Sequence, residues 1–327
     1  MKGVLMEGKD EKSSWLTSVV LGASKIVGEE QLKKRAGLEM MQTYRFFDLY
    51  GVKQDGKISP LVQTSTYRIY LTVSKKDQIE GLMKITTDPK YNIVLEQETG
   101  LLKMLRQKAE TFDKNAAAAG QQTPNYGAFF PRFVNDFMAD DRKAILLGFD
   151  ACIETYKQLQ PLSLLTQSDR IDLQSSVWVL GKLLKTLDFI HRQGFAVGNV
   201  SADNILLETD LHGVFVLDFS SASTRFKSNE IAQAAQIVWN AAGGTETSNP
   251  PFDEGVMSKE SYEKYVAFLS KILAGGEANL IHKELYTLSD EIWPRVPIEG
   301  GGTKRPFHEF CVYPREIEIC EENKEVL

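Results

Sequence analysis

The segment that most constrains the fold combines a long helix with a tight hairpin. Between Leu173 and Gln193, apolar residues recur at the spacing of one helix face, and Gly194 follows where a helix C-cap is expected. Two short apolar stretches, Ile205–Leu207 and Val214–Leu217, then flank a turn. The pattern predicts a buried helix, a polar loop and a β-hairpin, in that order.

The polar residues around this hairpin have the spacing of a known catalytic core. The loop contains Asn199 and Asn204, and the hairpin leads to Asp218, Phe219 and Ser220. This arrangement resembles the protein-kinase pattern, in which H-R-D-L-x-x-x-N is followed, after a short hairpin, by D-F-G. The resemblance implies that Asn204 and Asp218 hold Mg²⁺, because magnesium prefers hard oxygen ligands.

The resemblance extends towards the N-terminus, to a lysine and a glutamate. Lys84 stands at the V-A-I-K position, whose lysine holds the phosphates of ATP. Glu98 is the candidate partner of this lysine, because Leu101 and Leu102 follow it on the face expected to contact the core. Glu96 is the alternative partner and points to a different face. Without the hairpin downstream, an ordinary surface lysine and a solvated glutamate would explain these residues equally well.

One essential part of the kinase pattern is missing. Asn199 occupies the position of the catalytic aspartate, and a neutral amide has negligible basicity. Loss of a general base costs on the order of 10²–10⁴ in rate. Asp203 is next to Asn204, but it occupies the wrong place in the loop and is expected to face solvent. The chain therefore resembles a pseudokinase of the bacterial or phage type, with a degenerate catalytic loop, and whether it is an enzyme stays open.

The loop that covers the phosphates in kinases is also altered. Counting back from Lys84 places the G-x-G-x-x-G-x-V template on Val62, Thr64, Tyr67 and Ile69, with no glycine at any of its glycine sites. Glycine lets the backbone approach phosphate groups closely. We therefore expect weak nucleotide binding.

The resemblance nevertheless implies ATP, together with Mg²⁺, as the cofactor. Thr64, Ser65 and Thr66 are candidates to donate hydrogen bonds to the phosphates. Leu82 would lie above the adenine ring, where kinases carry a small alanine, and Leu206 would lie below it. The larger Leu82 is expected to narrow the site.

The expected fold class is α+β, with two lobes. A small lobe of antiparallel strands plus one helix precedes a truncated, mainly helical large lobe. We expect a helical N-terminal extension over 1–57, a small lobe over 58–150 with a polar insertion at 108–128, a large lobe over 151–298, and a flexible tail over 299–327. The kinase resemblance itself covers roughly residues 58 to 245.

Composition and charge exclude several classes of protein. The formal net charge of −6 argues against nucleic-acid binding, which requires clustered Lys and Arg. Three widely spaced cysteines without a CxxC pair favour a reducing cytosol over a disulfide scaffold or a zinc site. The longest apolar run near the start, residues 15–23, is too short to span a bilayer. We therefore expect a cytoplasmic protein without a membrane segment.

Three functions stay open at this point. A pseudokinase acting as a binding or regulatory module on a protein partner is favoured by Asn199. The lack of an A-P-E motif between Asp218 and the helix predicted at Glu230–Ala242 also argues against peptide phosphorylation. A slow phosphotransferase on protein or small molecule is favoured by the retained lysine, glutamate and metal-ligand positions. Nucleotidyl transfer on a kinase scaffold is supported by analogy alone.

Overall fold

A computed structural model describes most of the chain and has the expected mixed α+β class. The described residues are 38–44, 46–76, 80–149, 159–208, 212–224, 229–298, 302–305, 308 and 310–314. Within them, an antiparallel sheet is followed by a mainly helical region, as the sequence predicts. The helices expected before residue 38 lie outside the described residues. No helix of the described part is long and apolar enough to cross a membrane.

The N-terminal region is an antiparallel sheet. Its strands are β1 (Leu38–Thr43), β2 (Phe47–Gln54), β3 (Lys57–Ser59), β4 (Val62–Gln63), β5 (Tyr67–Ser74), β6 (Glu80–Thr86), β7 (Arg132–Ala139) and β8 (Arg142–Gly148). The main path runs β1-β2-β5-β6-β8-β7, and β3 and β4 add to β2 and β5. The central strands β5 and β6 are buried along most of their length, and β5 is rich in the β-branched and aromatic residues that favour strands.

The prediction of a helical extension up to residue 57 is wrong for the described residues 38–57, which form β1, β2 and the start of β3. The apolar spacing that suggests a helix here runs across a hairpin, so it is not the repeat of one element. Leu38 pairs with Val52, and Phe47 pairs with Ser74 on β5. Pairing with the larger sheet therefore decides the local structure, since strand preference depends on tertiary context.

Helix α1 (Asn92–Ala118) packs across the sheet and extends into the segment where an insertion was expected. Leu95, Leu102 and Leu105 lie on its face against the core and are fully buried. The insertion expected at 108–128 is therefore wrong in its first half, because the helix continues through the alanine run, whose residues have the highest helix propensity.

The helical region is built around α3, which was predicted at Leu173–Gln193 and is observed at Leu173–Arg192. Its apolar face is almost wholly buried, as a central core helix requires. The predicted hairpin is confirmed in β11 and β12, which pair antiparallel. The elements of this region are β9 (Gln160–Pro161), α2 (Leu162–Leu165), β10 (Asp169–Ile171), α3, β11 (Ile205–Glu208), β12 (Gly213–Val216), α4 (Glu230–Ala241), α5 (Lys259–Ile272) and α6 (Ala278–Ile292).

The expectation of a flexible tail from residue 299 is wrong for the described residues between 302 and 314. Strands β13 (Val296–Pro297) and β14 (Thr303–Lys304) pair with each other, and β15 (Val312–Pro314) pairs with β10. Residues 315–327 lie outside the described residues. The C-terminal segment therefore returns to the helical region beside the start of α3.

Asp172 fastens this segment to the helix. It is fully buried and caps α3, because its Oδ1 accepts a hydrogen bond from the Ser175 amide at 2.9 Å. The same carboxylate contacts His308 Nε2 at 2.9 Å and the Cys311 amide at 3.3 Å. The side chains of Asp172, His308 and Cys311 are metal-ligand types that lie within 4.8 Å of one another. Because protein donors already surround both carboxylate oxygens, the contacts account for the cluster as a structural clasp.

We predict that Asp172→Ala lowers the free energy of unfolding by about 2–4 kcal/mol, because it removes a helix cap and leaves buried donors unpaired. Urea denaturation measures the change. Asn229→Ala is the matched control, since Asn229 stands at the N-cap of α4 without a side-chain cap hydrogen bond. Equal effects of the two substitutions would contradict the assigned clasp.

The stability that Asp172 contributes should depend on pH. Burial raises the pKa of Asp172, but hydrogen bonds from His308 and Ser175 outweigh burial, so the pKa lies below its ordinary value. A lowered pKa contributes stability that is present above the ordinary value, about 3.9, and is lost as the pH falls through the folded-state value. The difference between wild type and Asp172→Ala should therefore shrink in urea titrations carried out at progressively more acidic pH.

Candidate functional site

Lys84 lies at the centre of a buried cluster of charges. It sits in the middle of β6, opposite Ile69 on β5 and Ile145 on β8, and its side chain is fully buried. The Lys84 Nζ donates to both carboxylate oxygens of Glu98 on α1, at 2.7 and 2.9 Å. The structure thus brings these two predicted site residues together and ties the sheet to its helix.

The alternative partner does not reach this lysine. Glu96 has a half-exposed side chain and lies 3.5 Å from Lys143 Nζ. The difference follows from the helix, since residues two apart project from different faces of α1.

Asp218 closes the charge cluster from the helical region. Its Oδ1 accepts from Lys84 Nζ at 2.5 Å and from the Ser220 amide at 2.9 Å. The Phe219 amide donates to Glu98 Oε1 at 3.0 Å. One ammonium therefore bridges two carboxylates, and the bridge joins β6, α1 and the end of the hairpin.

The two carboxylates respond differently to burial. Burial raises the pKa of Asp218, but the Lys84 ammonium, which also donates a hydrogen bond, is the largest of the influences that outweigh burial, so the pKa falls to about 2. Burial is the largest influence on Glu98 and leaves the pKa of that carboxyl raised, although Lys84 opposes the effect. Two carboxylates and one ammonium carry a net negative charge, and Glu98 is the group that takes up a proton first.

Asn204 braces the loop against the hairpin. It ends a short 3₁₀ turn (Ala202–Asn204), and its Nδ2 donates to the Asn199 carbonyl at 2.6 Å and to the Asp218 carbonyl at 3.0 Å. Its Oδ1 accepts from the Asp218 amide. Among the described residues, the hydrogen-bond partners of this side chain are backbone groups, so in this arrangement Asn204 fixes the position of Asp218.

The side chain of Asn199 faces the carboxylate of Asp218. Its Nδ2 donates to Asp218 Oδ2 at 3.5 Å, the outer limit of a hydrogen bond. The amide is thus oriented as a donor, and a proton acceptor is lost from this position. Asp203 is exposed, in agreement with the prediction that it faces solvent.

Glu230 supports the same loop and was not recognised as a site residue from the sequence. It is the first residue of α4, is buried, and accepts from the amides of Val197 and Gly198 at 3.2 and 2.6 Å. His191 Nε2 lies 2.7 Å from its carboxylate. Gly198 has a φ of +83°, and a Cβ there would lie 2.0 Å from the Ser221 carbonyl oxygen, so glycine is required. An acidic residue in the first helical turn was the only sequence signal.

The predicted phosphate-binding residues form a turn whose polar groups are hydrogen-bonded within the protein. Thr64 Oγ1 accepts from the amides of Thr66 and Tyr67 at 3.2 and 3.1 Å. The Ser65 carbonyl accepts from the Thr87 hydroxyl at 2.7 Å. The amides of Thr66 and Tyr67 are therefore used within the β4–β5 connection, where a phosphate-binding loop would present free amides.

Tyr67 lies against the charge cluster at one of the glycine positions of the kinase template. Its side chain is 2% exposed, and its ring centroid lies 3.8 Å from Lys84 Nζ. Burial, followed by the charge of Asp218, raises the pKa of the phenol well above its ordinary value.

The residues expected to contact adenine are part of the main core. Leu82 on β6 and Leu206 on β11 belong to one apolar cluster, and neither exposes any surface. Leu206 pairs with Phe215 and Pro161 on the neighbouring strands. In this conformation neither leucine is therefore available to contact a base.

ATP and Mg²⁺ fit the residue types of this site but not their arrangement. An ammonium, an amide and a carboxylate are groups that could bind them. However, the three donors of Lys84 are used by Glu98 and Asp218, and Asn204 bonds to backbone. The cluster is also covered by Tyr67, so this conformation gives neither ligand access to Lys84 and Asp218.

Comparisons with known proteins identify no family for this chain. No family model matches the chain, and no curated protein matches it. One crystal structure, described as that of a kinase domain, is similar to it, with 14% sequence identity, 70% of each chain covered and a TM-score of 0.41. The chemistry of the site is therefore inferred from its own geometry.

We predict that Lys84→Met lowers the free energy of unfolding by about 3–5 kcal/mol at neutral pH, because it leaves two carboxylates buried without a cation. Without the ammonium their pKa values rise, so the variant should lose less stability at acidic pH than at neutral pH. Urea denaturation across pH measures both effects. Lys53→Met is the control, since Lys53 and its partner Glu39 are largely exposed. A variant as stable as this control would contradict the buried bridge.

We also predict that Glu230→Ala frees the backbone of the loop that contains Asn199. Hydrogen–deuterium exchange at the amides of Val197 and Gly198 should increase by at least about tenfold, because both lose their acceptor. Glu284→Ala, which removes an exposed ion pair with Lys271 on the surface, should leave these amides unchanged. Unaltered exchange in Glu230→Ala would show that the loop is held by other contacts.

Proposed function

We propose that this chain is a pseudokinase: a kinase-like scaffold that acts as a binding or regulatory module and transfers no phosphate. The observation that supports this most directly is the orientation of Asn199, whose amide donates towards Asp218. A neutral amide cannot take a proton from an attacking hydroxyl. The loop that carries it is fixed by Glu230 and Asn204, so among the described residues the lost base has no obvious replacement.

The magnitude of the defect is consistent with this proposal. Loss of a general base costs on the order of 10²–10⁴, and kinases turn over roughly 1–100 times per second. A rate between about 10⁻⁴ and 1 s⁻¹ would remain for an accessible site. Burial of Lys84 and Asp218 lowers the expected rate further, since ATP and Mg²⁺ reach them only after the cluster opens.

A slow phosphotransferase is the second candidate, and one observation favours it. The Lys84–Glu98 ion pair is intact, with distances of 2.7 and 2.9 Å, and it is joined to Asp218. Phosphoryl transfer has a largely dissociative transition state, which depends on positioning and charge more than on a base. The bridge has a structural explanation as well, because it joins three elements of the core, and we therefore prefer the non-catalytic role.

The proposal includes a protein partner, since a scaffold without catalysis acts through what it binds. We place this activity in the cytoplasm on the basis of cysteine usage.

The test is a measurement of ATP turnover. Purified wild type is incubated with γ-labelled ATP and Mg²⁺, and both ADP release and label on protein are followed at a sensitivity of about 10⁻⁴ s⁻¹. Asp218→Asn is the matched background, because it has the same size without the charge. We expect wild type to equal this variant. Turnover by wild type that disappears in Asp218→Asn would establish the slow enzyme instead.

A further inference from the structure

Tyr67 has an unusual position for a tyrosine. It is the first residue of β5 and pairs with Thr86 on β6, two residues beyond Lys84. The backbone is therefore held in the sheet, and only the side chain projects over the lysine. The glycine template of kinases would place no side chain here at all.

The side chain of Tyr67 contacts the ammonium group that a bound nucleotide would need. The ring lies over the ammonium of Lys84, with 3.8 Å between Nζ and the centroid. A ring face attracts a cation, most strongly when both are desolvated. The ring thus covers the ammonium to which Asp218 is also hydrogen-bonded, at 2.5 Å. One side chain therefore covers the lysine that the kinase resemblance assigns to phosphate, and this lysine is joined to the aspartate that it assigns to Mg²⁺.

The burial of these groups shows how complete the cover is. Lys84 is 0% exposed, and Asp218 and Tyr67 are each 2% exposed. A triphosphate carries several negative charges and could approach Lys84 only by displacing the ring. The 2.5 Å contact between Lys84 and Asp218 would also have to open, since no donor of the ammonium is left over.

We propose that Tyr67 is an internal plug of a latent nucleotide site: its phenol occupies the space beside Lys84 and Asp218 and prevents magnesium-bound nucleoside triphosphate from binding. The site becomes competent when the ring leaves. This inference rests on the proposed function. It adds a physical reason, besides the missing base, why a chain with a lysine, a glutamate and an aspartate in kinase positions transfers no phosphate. It concerns binding and not transfer, so the two proposals fail in different measurements.

The expected size of the effect follows from the fraction of open molecules. An apparent dissociation constant equals the intrinsic one divided by the fraction that can bind. If about 1–10% of the molecules are open, removal of the plug tightens binding by about tenfold to 100-fold.

The experiment is isothermal titration of the full chain with Mg·ATP. We expect no saturable binding by wild type up to about 1 mM, and binding tightened by at least about tenfold in Tyr67→Ala. The gain should be lost in the double variant Tyr67→Ala/Asp218→Asn, because the ligand would bind at the uncovered cluster. Tyr265→Ala is the matched control. Tyr265 is also a fully buried tyrosine with a hydrogen-bonded hydroxyl, but it lies on α5 and bonds to Ser176.

A second variant keeps the test decisive if Tyr67→Ala does not fold. Tyr67→Val preserves a strand-forming side chain and removes the ring and hydroxyl, so it should also gain binding. Wild type that binds Mg·ATP as tightly as the variants would overturn the plug, and so would a folded Tyr67→Ala or Tyr67→Val without any gain. An equal gain in Tyr265→Ala would also overturn it, since it would trace binding to general loosening of the chain.

Discussion

The structure depends on one ammonium group that is shared by two carboxylates. Lys84 joins Glu98 and Asp218 at distances of 2.5–2.9 Å, and thereby holds together the sheet, helix α1 and the hairpin. A buried charge is costly unless it is paired and hydrogen-bonded, so none of the three residues can be removed without harm to the others. The same residues that would bind nucleotide in a kinase are here part of the core, where their first effect is structural.

The polar residues around the bridge form hydrogen bonds with the backbone. Asn204 contacts the backbone of residues 199 and 218, and Glu230 accepts from the amides of Val197 and Gly198. These contacts fix the loop that carries Asn199. A site designed for turnover needs a proton acceptor at this point, whereas a scaffold needs only a loop of defined shape. The observed contacts meet the second requirement.

The sequence predicted which charged residues lie together, as well as the α+β class, better than it predicted the local structure of the segments at both ends of the described chain. Lys84, Glu98, Asn204 and Asp218 could be placed because their spacing and apolar neighbours match a pattern that extends over several elements. Strands β1 and β2 could not, since their apolar residues also fit a helix until β5 supplies the pairing. The direction of the Tyr67 side chain could not be predicted either. The kinase template shows that glycine is missing at residue 67, but the rotamer of the tyrosine depends on the packing around it.

The chemistry around residue 67 explains why a tyrosine suits this position. Two carboxylates and one ammonium leave an excess of negative charge, and a bound metal would normally balance it. The ring face of Tyr67 lies over the Lys84 ammonium, so it satisfies this cation without adding charge. Burial raises the pKa of the Tyr67 hydroxyl, so the phenol stays neutral beside the carboxylates. In the closed conformation, the side chain at the glycine position therefore covers the lysine without adding to the excess of negative charge.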